Sequence, residues 1–206
     1  MRIILFISCL FFSVWANAQL KTQVVAKTSV PKSLRYQGKP VQAVQYQDQT
    51  GTYFALTTQT GEQPQKGEEG ARQAHLYAYV YQLNDNAAPT LLWQLHDLVS
   101  DCILDLEAEF VPSSITVTDL DKNGKAEVWV GYRLSCRGDI SPSDLKLIMH
   151  EGTTKYAMRG VGKLKVNNVL QTDGGEISSN DFIKGPTAFK PYARQLWNKY
   201  ALEVIK

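Results

Sequence analysis

The chain has 206 residues, with 22 Lys and Arg against 20 Asp and Glu and a formal net charge of +2. With 44% hydrophobic and 20% charged residues it has the composition of an ordinary globular protein, and so balanced a charge implies no polyanionic partner. The basic residues are scattered rather than gathered into a stripe, so the footprint of a nucleic-acid-binding surface is missing.

The N-terminus runs from a single charge, Arg2, through the apolar stretch Ile3 to Trp15 to the small-residue site Ala16-Asn17-Ala18. That is the three-part layout of a cleavable signal peptide over residues 1–18, and it predicts a periplasmic or secreted protein beginning at Gln19. The run is shorter than the roughly 20 apolar residues that cross a bilayer, and no later run approaches that length. Cys9 lies inside the apolar stretch rather than after it, which argues against lipid attachment. Removing 18 of 206 residues leaves 188, which fits a single domain.

Alternating apolar positions in Val41 to Tyr46 and Tyr53 to Thr57, on either side of Asp48-Gln49-Thr50-Gly51, predict a hairpin. Glu62 to Arg72 has Gly, Pro, Gln and charge without periodicity and reads as an exposed loop. Ala74 to Tyr81 is the clearest strand, with His75, Tyr77, Tyr79 and Tyr81 on one face. Asn84-Asp85-Asn86 turns the chain into a return strand over Leu91 to Leu95. The tyrosines Tyr77, Tyr79 and Tyr81 are candidate glycan-facing aromatics; the alternative is a packed face between two sheets.

Ile103 to Phe110 alternates Leu104, Leu106, Ala108 and Phe110 with Asp105, Glu107 and Glu109, a half-solvated strand with an acidic face. Short strands follow at Ile115 to Val117 and Val128 to Tyr132, then a hairpin of Leu145 to His150 and Lys155 to Met158 around Glu151-Gly152-Thr153-Thr154. Residues 160–186 hold two glycine-bearing loop signals, Asp173-Gly174-Gly175 and Lys184-Gly185-Pro186. Phe189, Ala193, Leu196, Trp197, Tyr200 and Val204 then recur at helical spacing, predicting an amphipathic helix over about 189–204. The fold class expected is mainly β: antiparallel sheets, sandwich-like or propeller-blade-like, closed by a C-terminal helix.

After removal of the leader the cysteines are Cys102 and Cys136, which an oxidising compartment would join in a disulfide; two separate buried thiols are the alternative. No CxxC spacing or neighbouring His pair completes a zinc site around them.

One motif carries chemistry. Asp119-Leu120-Asp121-Lys122-Asn123-Gly124-Lys125-Ala126-Glu127 has the D-x-D-x-N-G form in which side-chain oxygens at alternate positions converge on a calcium ion while Gly permits the sharp turn. The candidate ligands are Asp119, Asp121 and Asn123, the carbonyl of Lys125, and Glu127. An EF-hand would place a bidentate Glu where Val130 stands, and its flanks would be helical, so this is no EF-hand. The metal-free alternative is an Asx-type turn in which the same side chains bond the local backbone.

Residues 115–132 resemble the strand–loop–strand calcium loop of FG-GAP or VCBS-type propeller blades, which places a final acidic ligand where Glu127 stands. No second copy of the motif and no blade-length period accompanies it. Over Leu92 to Gly160, the runs LLWQLHDLVSDC, ITVTDLDKNGKAEVWVGYRLSCRGD and LKLIMHEGTTKYAMRG resemble a family of small exported bacterial proteins labelled surface polysaccharide biosynthesis protein. The resemblance implies a role in lipopolysaccharide or capsule, with an envelope polysaccharide or another envelope protein as partner, and brings no catalytic residues with it. A non-enzymatic envelope domain is the leading expectation. The competing one is an enzyme on envelope glycans using acids of the 105–109 strand or the 119–127 loop.

No G-x-S-x-G elbow, H-E-x-x-H pair or glycine-rich phosphate loop occurs. His75, His96 and His150 are far apart in sequence, so any constellation among them has to be assembled by the fold. Arg137-Gly138-Asp139, beside Cys136, reads as a pinned turn rather than a presented adhesion tripeptide.

Overall fold

A computed structural model describes residues 20–205. The expected leader, residues 1–18, lies outside the described residues.

Two antiparallel sheets carry most of the chain. The first is built from β1 (Lys21–Val25), β2 (Lys39–Asp48), β3 (Gly51–Gln59), β4 (Gln63–Pro64), β5 (Arg72–Leu83) and β6 (Thr90–Cys102). β3 and the short β4 share one edge of β5, and β6 pairs with the other. The second sheet holds β7 (Asp105–Phe110), β8 (Thr116–Thr118), β9 (Glu127–Arg137), β10 (Asp144–Glu151) and β11 (Thr154–Val161). β12 (Lys163–Val166) and β13 (Val169–Gly174) follow as part of a small third sheet, β14 (Ile177–Asn180) returns to pair with β11, and α1 (Phe189–Ala201) leads into β15 (Leu202–Ile205).

The period-two pattern explains how these elements pack. On β5, Leu76, Ala78 and Val80 face inward and form one core with Val128, Val130, Leu134 and Ile148 of the second sheet. The two sheets are therefore a sandwich, and the propeller-like alternative is not what the described residues form. Asp97 reaches into this space from β6 and accepts from Tyr132 Oη at 2.8 Å and Lys146 Nζ at 2.6 Å, bonding one sheet to the other. A disulfide between Cys102 at the end of β6 and Cys136 on β9, with Cα atoms 5.6 Å apart, makes a second, covalent tie.

The other faces are covered too. Trp129, Leu145, Leu147, Met149 and Met158 of the second sheet pack against Phe189, Ala193, Leu196, Trp197 and Tyr200 of α1. The helix comes this close because Gly131 lacks a side chain: a Cβ there would stand 2.9 Å from the Tyr200 ring. Arg133 donates from the sheet to the carbonyls of Tyr200 and Leu202, satisfying acceptors that the helix end leaves open.

Three expectations need correction. The helix ends at Ala201 rather than near residue 204, because Leu202–Ile205 pairs in parallel with β12; Val204 is 55% exposed and belongs to that strand. Residues 160–186 are not merely looped but contribute β12, β13 and β14. The tyrosines of β5 do not face the second sheet. Alternation sends Tyr77, Tyr79 and Tyr81 to the outer face, where they pack with Leu34, Phe54 and Leu56. Segment 30–37 covers them: the hydroxyls of Tyr81 and Tyr77 donate to the carbonyl of Arg35 and to Gln37 Oε1, and Tyr79 Oη accepts from the Gln37 N–H.

Candidate metal centre

The 119–127 loop joins β8 to β9 at one end of the sandwich. Glu127 opens β9 and is fully buried, so its carboxylate is held rather than free. Its oxygens accept from Thr118 Oγ1 at 2.6 Å and from the Leu120 N–H at 2.9 and 3.0 Å. Thr118 Oγ1 in turn accepts from Trp129 Nε1 at 2.8 Å, which ties the loop to the core beneath α1.

Carboxylate oxygens of Asp119, Asp121 and Glu127 lie within 4.8 Å of one another. Oxygens that share one ion at 2.3–2.6 Å are at most about 4.6–5.2 Å apart, so the three carboxylates are close enough to share a cation of that size. Asp119 Oδ2 accepts from the Gly124 N–H at 3.2 Å, while Asp119 Oδ1 is buried with no hydrogen-bond partner. A buried carboxylate oxygen without a donor is costly, and a cation satisfies it. Burial pushes the Glu127 carboxyl above the usual carboxylate range; the Thr118 and Leu120 donors pull it down, and the charges of Asp121 and Asp119 push it up again. Three carboxylates thus converge with one buried oxygen, Asp119 Oδ1, left without a donor, a hard oxygen set of the kind a divalent cation takes.

The remaining loop positions are arranged differently. Asn123 turns its amide nitrogen to Asp121 Oδ2 at 3.1 Å and to Glu151 Oε1 at 2.6 Å, and its oxygen accepts from the Lys125 N–H at 2.8 Å. Asp121 Oδ1 accepts from the Asn123 N–H at 3.2 Å. The loop therefore contains the Asx turns of the metal-free alternative alongside three converging carboxylates. Lys122 and Gly124 have φ of 60° and 81°, and a Cβ on Gly124 would run into the side chain of Gln49, so glycine is required there on both counts.

The loop is fastened to the first sheet as well. Gln49 N–H donates to the Gly124 carbonyl at 3.0 Å and Ala126 N–H to Asp48 Oδ2 at 2.9 Å. Asp48 also accepts from Thr50 N–H, Thr50 Oγ1 and Gly51 N–H at 2.7, 2.6 and 3.2 Å, so one carboxylate both shapes the β2–β3 turn and docks the loop. Beside this junction is a cleft of about 380 Å³, lined by residues of both sheets that include Tyr46, Asp48, Trp93, Lys125, His150 and Glu151. His150 stacks on Trp93 with ring centroids 4.2 Å apart, and burial, then Lys155, lower its pKa to about 4, so it is neutral at physiological pH.

Nothing local in the sequence marks Asp48 and Glu151 as neighbours of this loop. Each stands in a turn whose residues suit any hairpin, and only the sheet packing brings them to the loop. The acids of β7 lie elsewhere. Glu107 accepts from Ser143 Oγ at 2.5 Å and pairs with Arg137 at 3.2 Å, and Arg137 also pairs with Glu203 at 3.3 Å, so the arginine of the Arg-Gly-Asp tripeptide is held in a structural network. No helix among the described residues is long and apolar enough to cross a membrane.

No protein-family model matches the chain, and no curated protein or solved structure is significantly similar to it.

Proposed function

We propose that this chain is a non-enzymatic domain of the bacterial envelope, in which calcium held by the 119–127 loop fixes the two sheets in register for a role in envelope polysaccharide assembly or binding. The observation that carries the calcium reading is the convergence of Asp119, Asp121 and Glu127 around the buried, unpartnered Asp119 Oδ1. Asn123 and the Lys125 carbonyl complete the ligand set that the motif spacing expects. The ion supplies structural charge neutralisation; this chain's own residues do the fastening, through Asp48 and Gln49 on one side and Thr118 and Trp129 on the other.

The polysaccharide role follows the resemblance of residues 92–160. The cleft beside the loop supports it: aromatic rings of Tyr46, Tyr53 and Trp93 are set among the polar groups of Asp48, Thr50, Lys125 and Glu151, the mixture that suits a polyhydroxylated ligand. The engagement of Glu107 with Arg137 and Ser143 favours a structural over a catalytic use of the acidic strand. Export with cleavage after Ala18 belongs to the same reading.

The test is calorimetric titration of calcium into the exported, chelator-stripped protein and into Asp121→Ala. One equivalent bound by the parent and none by the variant is the expected result. No binding by the parent overturns the calcium reading. Titration of lipopolysaccharide or capsular fragments into the calcium-loaded parent and Glu151→Gln addresses the cleft, where weaker binding by the variant is expected and no binding by the parent refutes the polysaccharide role. The mass of the exported chain should place its start at Gln19; retention of residues 1–18 would contradict export by a cleaved leader.

A further inference from the structure

Basic residues that are dispersed along the sequence are gathered by the fold on one surface, formed by α1 and the third sheet. In that sheet β12 lies between β13 and β15, and β15 continues straight from α1. Residues paired across strands share a face, as do alternate residues of one strand. Leu164 and Glu203 therefore lie on one face, and Lys163, Lys165, Leu170, Leu202 and Val204 on the other. The first face turns toward the second sheet: Leu164 is buried, and Glu203 accepts from Ser143 and pairs with Arg133 and Arg137 of β9. The second face points away from that sheet. So does the solvent side of α1, whose apolar side packs on the same strands, and there Lys190, Arg194 and Lys199 are exposed.

This surface has charge without compensation and apolar side chains without cover. Neither α1 nor β12 contains an acid, and the acid of β15, Glu203, is turned inward and engaged. Asp173 of β13 is the remaining acid of these four elements. Among the described residues, Lys163, Lys165, Lys190, Arg194 and Lys199 take part in none of the ion pairs. Set among the two lysines of the sheet are Leu170, Leu202 and Val204, exposed by 55%, 44% and 55%.

We propose that α1 and the outer face of the third sheet form a docking surface for a bilayer rich in anionic phospholipid. The five cations meet the headgroup phosphates, and the three aliphatic side chains enter the boundary between headgroups and acyl chains. Lysine suits this geometry because its stem covers apolar surface while the ammonium stays at the level of the phosphates. A soluble polyanion would be satisfied by the cations alone and leaves Leu170, Leu202 and Val204 in water. A lipid surface, with an apolar body beneath its anionic layer, meets both features.

The surface shares no residue with the 119–127 loop or the cleft beside it, so its failure leaves the calcium and polysaccharide readings untouched. The test is sedimentation of the exported, untagged, calcium-loaded protein, freed of excess calcium, with vesicles of phosphatidylglycerol and phosphatidylcholine and with vesicles of phosphatidylcholine alone. The parent should bind the anionic vesicles, less so as salt is raised, and bind the zwitterionic ones far more weakly. A basic residue near an anionic surface contributes about fivefold, so Lys190→Gln with Arg194→Gln should weaken binding about 30-fold, and Lys163→Gln with Lys165→Gln by a similar factor. Lys21→Gln with Lys27→Gln removes the same charge from the first sheet and should change it little. Leu170→Ser with Val204→Ser should weaken it about tenfold with the same salt dependence. All these side chains lie at the surface, and unchanged far-ultraviolet circular dichroism checks that each variant folds. No binding of anionic vesicles by the parent would overturn the proposal, and so would an equal loss in the Lys21 and Lys27 variant, which would make net charge the cause. Binding undiminished in the Leu170 and Val204 variant would overturn the lipid assignment in favour of a soluble polyanion.

Discussion

The Ala126 N–H donates to Asp48 Oδ2 over 2.9 Å, so the last turn of the 119–127 loop hangs from the hairpin turn of the opposite sheet. The same carboxylate shapes that turn through Thr50 and Gly51, which makes it the junction between local turn chemistry and the packing of the two sheets. Removing it strands several buried or half-buried donors at once.

Asp48→Ala should therefore destabilise the domain by about 3 kcal/mol, the scale of losing hydrogen bonds to a charged acceptor and leaving a donor unpaired. Urea unfolding should show a lower midpoint with an unchanged slope. Calcium affinity should fall in the same variant, because the loop loses its anchor. A midpoint within error of the parent would show that the sheets are held elsewhere.

The Cys102–Cys136 disulfide closes a loop of sequence separation 34 between the sheets. Replacing both cysteines by alanine should cost about 3–4 kcal/mol on the chain-entropy model. Thiol labelling of the denatured, unreduced protein should leave Cys102 and Cys136 unlabelled, and labelling of both would refute the bridge.

Asp97 gives the domain an acid-sensitive tie. Burial raises its carboxyl, but the hydrogen bonds from Lys146 and Tyr132 and the Lys146 charge outweigh this and hold it below the usual carboxylate range. A carboxyl depressed in the folded state contributes stability that is present above its unfolded value of about 3.9 and is lost as pH falls through the folded value. Asp97→Asn should be less stable at neutral pH and lose less on acidification below about pH 4. Parallel stability–pH curves for parent and variant would contradict this role.

The tyrosine ladder is structural cover. Tyr81→Phe removes only the hydroxyl that donates to the Arg35 carbonyl, and should cost about 1 kcal/mol while loosening segment 30–37. Hydrogen exchange should show faster exchange in residues 30–37, and unchanged exchange there would disconnect that hydroxyl from the segment's anchoring.

Much of this architecture was legible in the sequence, for reasons that differ by element. Alternation in Ala74 to Tyr81 and helical spacing from Phe189 to Tyr200 are local signals, and the structure keeps both. Which face of β5 turns inward was not legible: small and aliphatic residues fit between the sheets, and the tyrosines needed a covering segment that Val30 to Gln37 does not announce. The parallel pairing of Lys163–Val166 with Leu202–Ile205 joins segments some 40 residues apart, and Val204 fits a helical and a strand pattern alike. At the candidate site, Asp119, Asp121 and Glu127 were legible from their spacing because one turn brings them together. Asp48 and Glu151 depend on sheet packing, which no local pattern encodes.

The central claim, that calcium in the 119–127 loop stabilises the sandwich, is tested most directly by thermal unfolding of the exported protein in calcium and in chelator. An ion bound only by the folded chain at a hundredfold excess over its dissociation constant adds about 2.7 kcal/mol. For a domain of this size that raises the midpoint by on the order of 5–10 °C. The account predicts this shift for the parent and its loss in Asp121→Ala, whereas identical midpoints for the parent in calcium and chelator would contradict it and leave the loop a hydrogen-bonded turn.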